Sequence, residues 1–188
     1  ETYQQYFVNM AAAWKEDYPN IQQYYMFQIW PDACSMGKNS SGDHLREVQR
    51  TLPALFSNLK IMSTLGIRPG GGCHFPPEGY AEMADLIIPV IEQDNYGVEF
   101  EDPVSPPNLE KAYFTSERRD VIAIEFDQPM DWDNSLISEF YLDGEKNWIV
   151  SGSLWGEKIL LKLKGRSDAK KISYLDGKNW DENNILYG

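Results

Sequence analysis

The segment Glu101-Asp102-Pro103-Val104-Ser105-Pro106-Pro107 divides this sequence into two parts with different hydrophobic periods, and that change most constrains the fold. Before it, helical stripes alternate with short continuous apolar runs. After it, only short strand-type runs separated by turn signals occur. An acidic, Pro-rich stretch makes a linker rather than a core element. The expected organisation is therefore two domains, residues 1–101 and 102–188, of α/β plus all-β class.

In the first part, Tyr6, Phe7, Met10, Ala11 and Trp14 recur at helical spacing, which predicts an amphipathic helix from Thr2 to Glu16. Tyr24 to Trp30 is a continuous apolar run of strand length stopped by Pro31, as suits a buried parallel strand. Asp43 is placed to cap a helix carrying Leu45, Val48 and Leu52, and Pro53 interrupts it. Leu59 to Leu65 reads as a second buried strand. After Pro76 a helix sets Tyr80, Met83, Ala84, Ile87, Ile88 and Ile91 on one side and ends near Asp94-Asn95. Helix, strand, helix, strand, helix is a partial doubly wound pattern, in which ligands bind at the carboxyl ends of the strands.

In the second part the expected strands are Ala112–Thr115, Val121–Phe126, Phe140–Leu142, Trp148–Val150, Lys158–Leu163 and Ile172–Leu175. Turn signals such as Asp143-Gly144, Trp155-Gly156 and Asp176-Gly177 separate them. This spacing predicts an antiparallel β-sandwich. No repeat at the roughly 20–50-residue periods of solenoid architectures is apparent.

Charge excludes some functions. The chain of 188 residues has 17 basic and 29 acidic side chains, a net charge of −12. Nucleic acid and anionic membrane surfaces are repelled, and the pairs Arg118-Arg119 and Lys170-Lys171 are too small to supply a counterion-release interface. No apolar run is long enough to span a membrane, so no membrane insertion is expected, and no signal peptide is visible at Glu1–Tyr6. Six Trp and eleven Tyr suit both sugar-stacking platforms and an aromatic-rich β core. Cys34 and Cys73 do not have metal-site spacing. Each follows an apolar run, and the two are compatible with either a bridge or a pair of inert thiols. A Cys73 nucleophile acting with its neighbour His74 is disfavoured, because adjacent residues of an extended loop point apart. Asn39-Ser40-Ser41 is a glycosylation sequon, relevant in a eukaryotic secretory setting.

His74 lies in the run Gly70-Gly71-Gly72-Cys73-His74-Phe75-Pro76-Pro77-Glu78-Gly79-Tyr80, just before a helix. Glycines let the backbone approach closely, prolines pre-set the first helical turn, and the imidazole is left where it can titrate near neutrality and shuttle a proton. A solvated loop histidine is the plainer alternative. The string from Gly72 to Ile87 resembles the last conserved block of SGNH hydrolases, in which a loop His precedes a helix of this form. Leu45-Arg46-Glu47-Val48-Gln49 resembles a helix start of the sialate O-acetylesterase-like, carbohydrate acetylesterase branch of that superfamily. The resemblance covers residues 1–101.

That resemblance implies a flavodoxin-like, SGNH-type α/β domain of which residues 1–101 are the C-terminal part, followed by a β-sandwich accessory domain. It implies a carbohydrate O-acetylesterase, a hydrolase working by Ser-His acyl transfer on an O-acetylated sugar or polysaccharide. Such chemistry calls for no cofactor and no metal. His74 is the implied catalytic base, and Arg46, Trp30 and Phe75 are candidate substrate contacts. Each has a bland alternative, packing for Trp30 and Phe75 and solvation for Arg46. The family's Gly-Asp-Ser or Gly-Gln-Ser nucleophile block and the later blocks with its Gly and Asn oxyanion donors do not occur here. The serine is thus expected on an N-terminal portion outside this sequence, in the same or a separate chain. The family's Asp three residues before the His is replaced by Gly71, so either a backbone carbonyl orients the imidazole within a Ser-His dyad, or an acid arrives from elsewhere in the fold, or this copy is catalytically weakened. A secreted, periplasmic or, in a eukaryote, lysosomal location is implied. The reading from a different class is a non-catalytic carbohydrate-binding or adhesive protein built on a degenerate esterase domain.

Overall fold

The computed structural model describes residues 2–31, 41–67, 74–177 and 179–188. Two compact units, Glu1–Val104 and Ser105–Gly188, meet inside the Pro-rich segment. The first mixes helices with a parallel strand pair, and the second is built from antiparallel strands.

In the first unit, helix α1 (Thr2–Asp17) buries Phe7 and Ala11 against Leu52 and Leu59, with the Tyr24 and Phe56 rings edge-on to Phe7. Lys15 donates to the carbonyls of Pro19 and Ile21, both at 2.7 Å, and so fixes the turn that leaves the helix. Strand β1 (Tyr24–Phe27) pairs in parallel with β2 (Leu59–Met62), from Tyr24 opposite Leu59 to Phe27 opposite Met62. Between them come helix α2 (Ser41–Thr51) and a 3₁₀ turn, Leu52–Ala54, forced by Pro53.

Helix α2 starts earlier than its sequence suggests. Asp43 therefore lies inside the first turn, where its charge complements the exposed N–H groups, rather than ahead of it as the cap. Helix α3 (Pro77–Tyr96) ends on Gly97, whose left-handed φ of 68° allows the N–H groups of Gly97 and Val98 to reach Gln93 and Glu92. Its buried line runs through Gly79 and Val90 rather than through Tyr80, Ala84 and Ile88, which are exposed. Near its C-terminus Asp94 accepts from Tyr25 at 3.1 Å and from Lys60 at 2.6 Å, so both strands are tied to the same turn of α3.

In the second unit β3 (Leu109–Phe114), β4 (Val121–Phe126), β6 (Ile149–Trp155) and β7 (Lys158–Leu163) form one antiparallel sheet in the order β3-β4-β7-β6. Strands β5 (Phe140–Leu142) and β8 (Ile172–Tyr174) form a separate antiparallel pair. Alternation decides the packing. Ile122, Ile124, Ile159 and Leu161 point to one side, where they share a single apolar cluster with Phe140 and Leu142 of β5, and Ile172 and Tyr174 of β8 pack against it. Asp143 and Gly144 both have positive φ and close a tight turn between Leu142 and Glu145, whose backbones exchange hydrogen bonds. The Asp143 carboxylate also accepts from the backbone N–H groups of Lys170 and Lys171, tying this turn to the entry of β8.

Candidate functional site

The carboxyl end of β1 is held by side chains rather than by further strand pairing. After Phe27 the ladder makes one more bond, Gln28 N–H to Met62 O at 2.9 Å. Thr64 Oγ1 then donates to Gln28 O at 2.9 Å, and Ile29 N–H donates to Gln49 Oε1 at 3.0 Å. The Arg46 guanidinium donates to the Ile29 carbonyl, and Gln28 Nε2 donates to the Arg46 carbonyl at 2.8 Å. Gln49 Nε2 reaches the Tyr3 hydroxyl at 3.3 Å, which donates in turn to Met26 Sδ. Gln28, Gln49 and Thr64 are all buried, so each polar group needs a partner and the network is stringent about geometry.

Trp30 follows directly on this clamp. Its ring meets Phe75 edge-on, centroids 5.8 Å apart at 85°, and Phe75 meets Tyr80 of α3 at 6.1 Å and 71°. Extended backbone at Pro76 (φ −68°, ψ 167°) turns the chain into α3 and leaves His74 exposed beside Phe75. The structure thus brings the four residues singled out by sequence into one neighbourhood: Arg46 on Ile29, Trp30 next in the chain, Phe75 against Trp30, and His74 next to Phe75. Arg46 sits in the second turn of α2 and grips the strand end that presents Trp30.

No hydrogen bond or ion pair to His74 occurs among the described residues. His74 is exposed and stands three residues before the first residue of a 20-residue helix. Cys34, Cys73, Gly70 to Gly72 and the sequon residues Asn39 and Ser40 lie outside the described residues. Two concavities among the described residues lie elsewhere. One of about 400 Å³ opens at Gln93 and Gly97–Phe100, and another of about 670 Å³ at Phe114, Ser116, Glu117, Arg119 and Arg166. In the second, Arg119 stacks on Phe114 at 4.1 Å and donates to the Ser167 and Ala169 carbonyls, while Arg166 donates to Glu117 O. These guanidinium groups serve the fold.

Sequence reasoning passed over the buried polar residues of the clamp. A signal was present: Gln28 interrupts an apolar run, and Gln49 stands between Leu45 and Leu52 on an otherwise apolar helix stripe. It also passed over a short duplication. Tyr141-Leu142-Asp143-Gly144-Glu145-Lys146-Asn147-Trp148 recurs, one residue shorter, as Tyr174 to Trp180. No protein-family model and no curated protein matches this chain.

Proposed function

We propose that the first unit is the histidine-bearing part of an SGNH-type, flavodoxin-like hydrolase domain, and that the protein is a carbohydrate O-acetylesterase of the sialate O-acetylesterase-like kind. The observation that supports this is the Trp30–Phe75 contact: it sets the His74 loop beside the carboxyl end of a parallel strand, the usual ligand position in α/β sheets. In this reading the second unit is a β-sandwich accessory domain, and the protein works in a secreted, periplasmic or lysosomal setting.

The chemistry is acyl transfer. A serine from outside this sequence attacks the acetyl carbonyl while His74 takes its proton; the imidazolium then protonates the departing sugar oxygen, and water repeats the cycle on the acyl-enzyme. Trp30 and Phe75 offer apolar faces to the sugar ring, and Arg46 keeps Trp30 in place through Ile29. The test is acetate release from an O-acetylated sugar by the whole protein. His74→Ala should lower turnover by roughly 10²–10⁴, the range for loss of a general base. Near-normal turnover in a folded variant overturns the assignment.

The exposed His74, with no carboxylate partner among the described residues, favours a second reading, a carbohydrate-binding protein without catalysis. Sugar binding by the wild type, retained in His74→Ala and accompanied by no acetate release from either, would select it.

A further inference from the structure

The four-stranded sheet of the second unit buries one face in the core, and its register defines the other. Residues opposite one another in an antiparallel ladder share a face. Lys111, Glu125, Lys158 and Trp155 therefore form one row across all four strands. Tyr113, Leu160 and Ser153 lie in the next row, and Lys162 and Ser151 in the one beyond.

This face has its own electrostatics. Glu125, buried to 9% exposure, accepts from Lys111 at 2.8 Å, from Lys158 and from the Tyr113 hydroxyl at 2.5 Å. Those hydrogen bonds, that of Lys111 first, hold its carboxyl down at about 2, so it is ionised at any physiological pH. Two ammonium groups share that single carboxylate, and both lysines also lie over the Tyr113 ring, at 5.5 and 5.9 Å. The row keeps a surplus positive charge, and Lys162 adds another, in a chain whose net charge is −12. Beside them the Trp155 indole is 69% exposed, with the hydroxyl of Ser153 on the same face.

We propose that this outer sheet face binds a carboxylate-bearing glycan, with Trp155 as the platform for a sugar ring and Lys158 and Lys162 as partners for its carboxylates. Charge complementarity selects an anionic ligand. The flat aromatic surface beside the Ser153 hydroxyl suits the C–H face and hydroxyl rim of a sugar. Strands are about 4.8 Å apart, so the row from Trp155 to Lys111 is a track of roughly 14 Å, which suits a chain rather than a small anion. An acidic peptide adding to a sheet would use a strand edge rather than this face. This site belongs to the second unit and His74 to the first, and it does not depend on the esterase reading.

The test is affinity electrophoresis and calorimetry of the full chain with polygalacturonate, with dextran and polyglutamate as controls. Polygalacturonate should bind, more weakly as salt is raised. Trp155→Ala should weaken binding about tenfold through lost stacking. Lys162→Gln, at an exposed position outside the Glu125 cluster, should weaken it about threefold and reduce its salt dependence. Absence of binding, binding unchanged in both variants, or equal binding of dextran or polyglutamate overturns the proposal. His74→Ala should leave this binding intact, and Trp155→Ala should leave intact any acetate release from a small neutral ester, so the two readings fail separately.

Discussion

Gly152 is the position where one added methyl group should do most damage. It lies on the core side of β6, opposite Leu161, and the ring of Trp132 rests directly on its backbone. A Cβ built there would stand 2.1 Å from Trp132 Cζ2 and 2.3 Å from Cε2. No real Cβ contact is that short, so Gly152→Ala must push the indole away. Overpacking of this kind costs about 1–3 kcal/mol. Moving Trp132 also disturbs Asn134, whose Oδ1 accepts the Gly152 N–H at 2.8 Å, which adds about 1 kcal/mol. Against this, alanine is better than glycine in a strand by roughly 0.5–1 kcal/mol. The net expectation is a loss of about 2 kcal/mol, or ~8–16 °C in Tm for a unit of this size. Urea unfolding of Gly152→Ala and of Gly165→Ala, where a Cβ meets nothing within 4 Å, would measure it. Gly165→Ala should be neutral or slightly stabilising. A cycle with Trp132→Leu should return a coupling of about 0.5 kcal/mol or more, as for residues in contact. Equal stability of Gly152→Ala and wild type, or a cycle without coupling, would refute the reasoning.

Arg46→Met removes the charged donor from the Ile29 carbonyl and should destabilise the first unit by about 1–3 kcal/mol in urea unfolding. Unchanged stability with a raised KM would instead assign the guanidinium to substrate. Glu125 supplies a pH dependence with a definite sign. Its carboxyl is depressed in the folded state from 4.5 to about 2, so its stabilisation is complete above the unfolded value and is lost as pH falls through the folded one. The Tm of the second unit should therefore drop between pH 4.5 and pH 2, and Glu125→Gln should flatten that drop while lowering Tm near neutrality. An identical acid profile in the variant would show that the ammonium pair does not act through this carboxylate.

Element identity was legible where period and punctuation agreed. Val121–Phe126, Phe140–Leu142 and Lys158–Leu163 lie as their alternation and bounding turns indicate, and α1 and α3 have the extents their spacing and prolines indicate, although of the α1 stripe only Phe7 and Ala11 are buried while Tyr6, Met10 and Trp14 are exposed. The differences have local causes. The runs Tyr24–Trp30 and Leu59–Leu65 stop pairing at Phe27 and Met62, because Gln49, Arg46 and Thr64 capture the next backbone groups, a tertiary event invisible in a hydrophobic pattern. Strand β6 runs on to Trp155 although Ser151-Gly152-Ser153 has loop composition. Pairing with β7 and the seat for Trp132 outweigh poor strand propensity there. On α3 the stripe was displaced by about one position: Tyr80, Ala84 and Ile88 look like core by residue type, but Gly79 and Val90 are what the unit buries.

For the candidate site, the legible part was chemistry and the hidden part was support. Histidine after a glycine run, aromatics at a strand end and an arginine on the following helix are recognisable as residue types. What joins them is a chain of neutral groups, Gln28, Gln49, Thr64 and the backbone of Ile29, none of which has a functional signature of its own. These groups also show why Arg46 and Trp30 should be considered together. A buried network is satisfied only in one arrangement, so a substitution at Gln49 frees Ile29 N–H, loosens the Arg46 grip on the next carbonyl and releases the residue that carries the indole. The aromatic contact then loses its fixed side, and Phe75, the neighbour of His74, keeps its ring contact with Tyr80 but loses the one that ties it to the end of β1. Positioning of the imidazole in this fold runs from the interior outward.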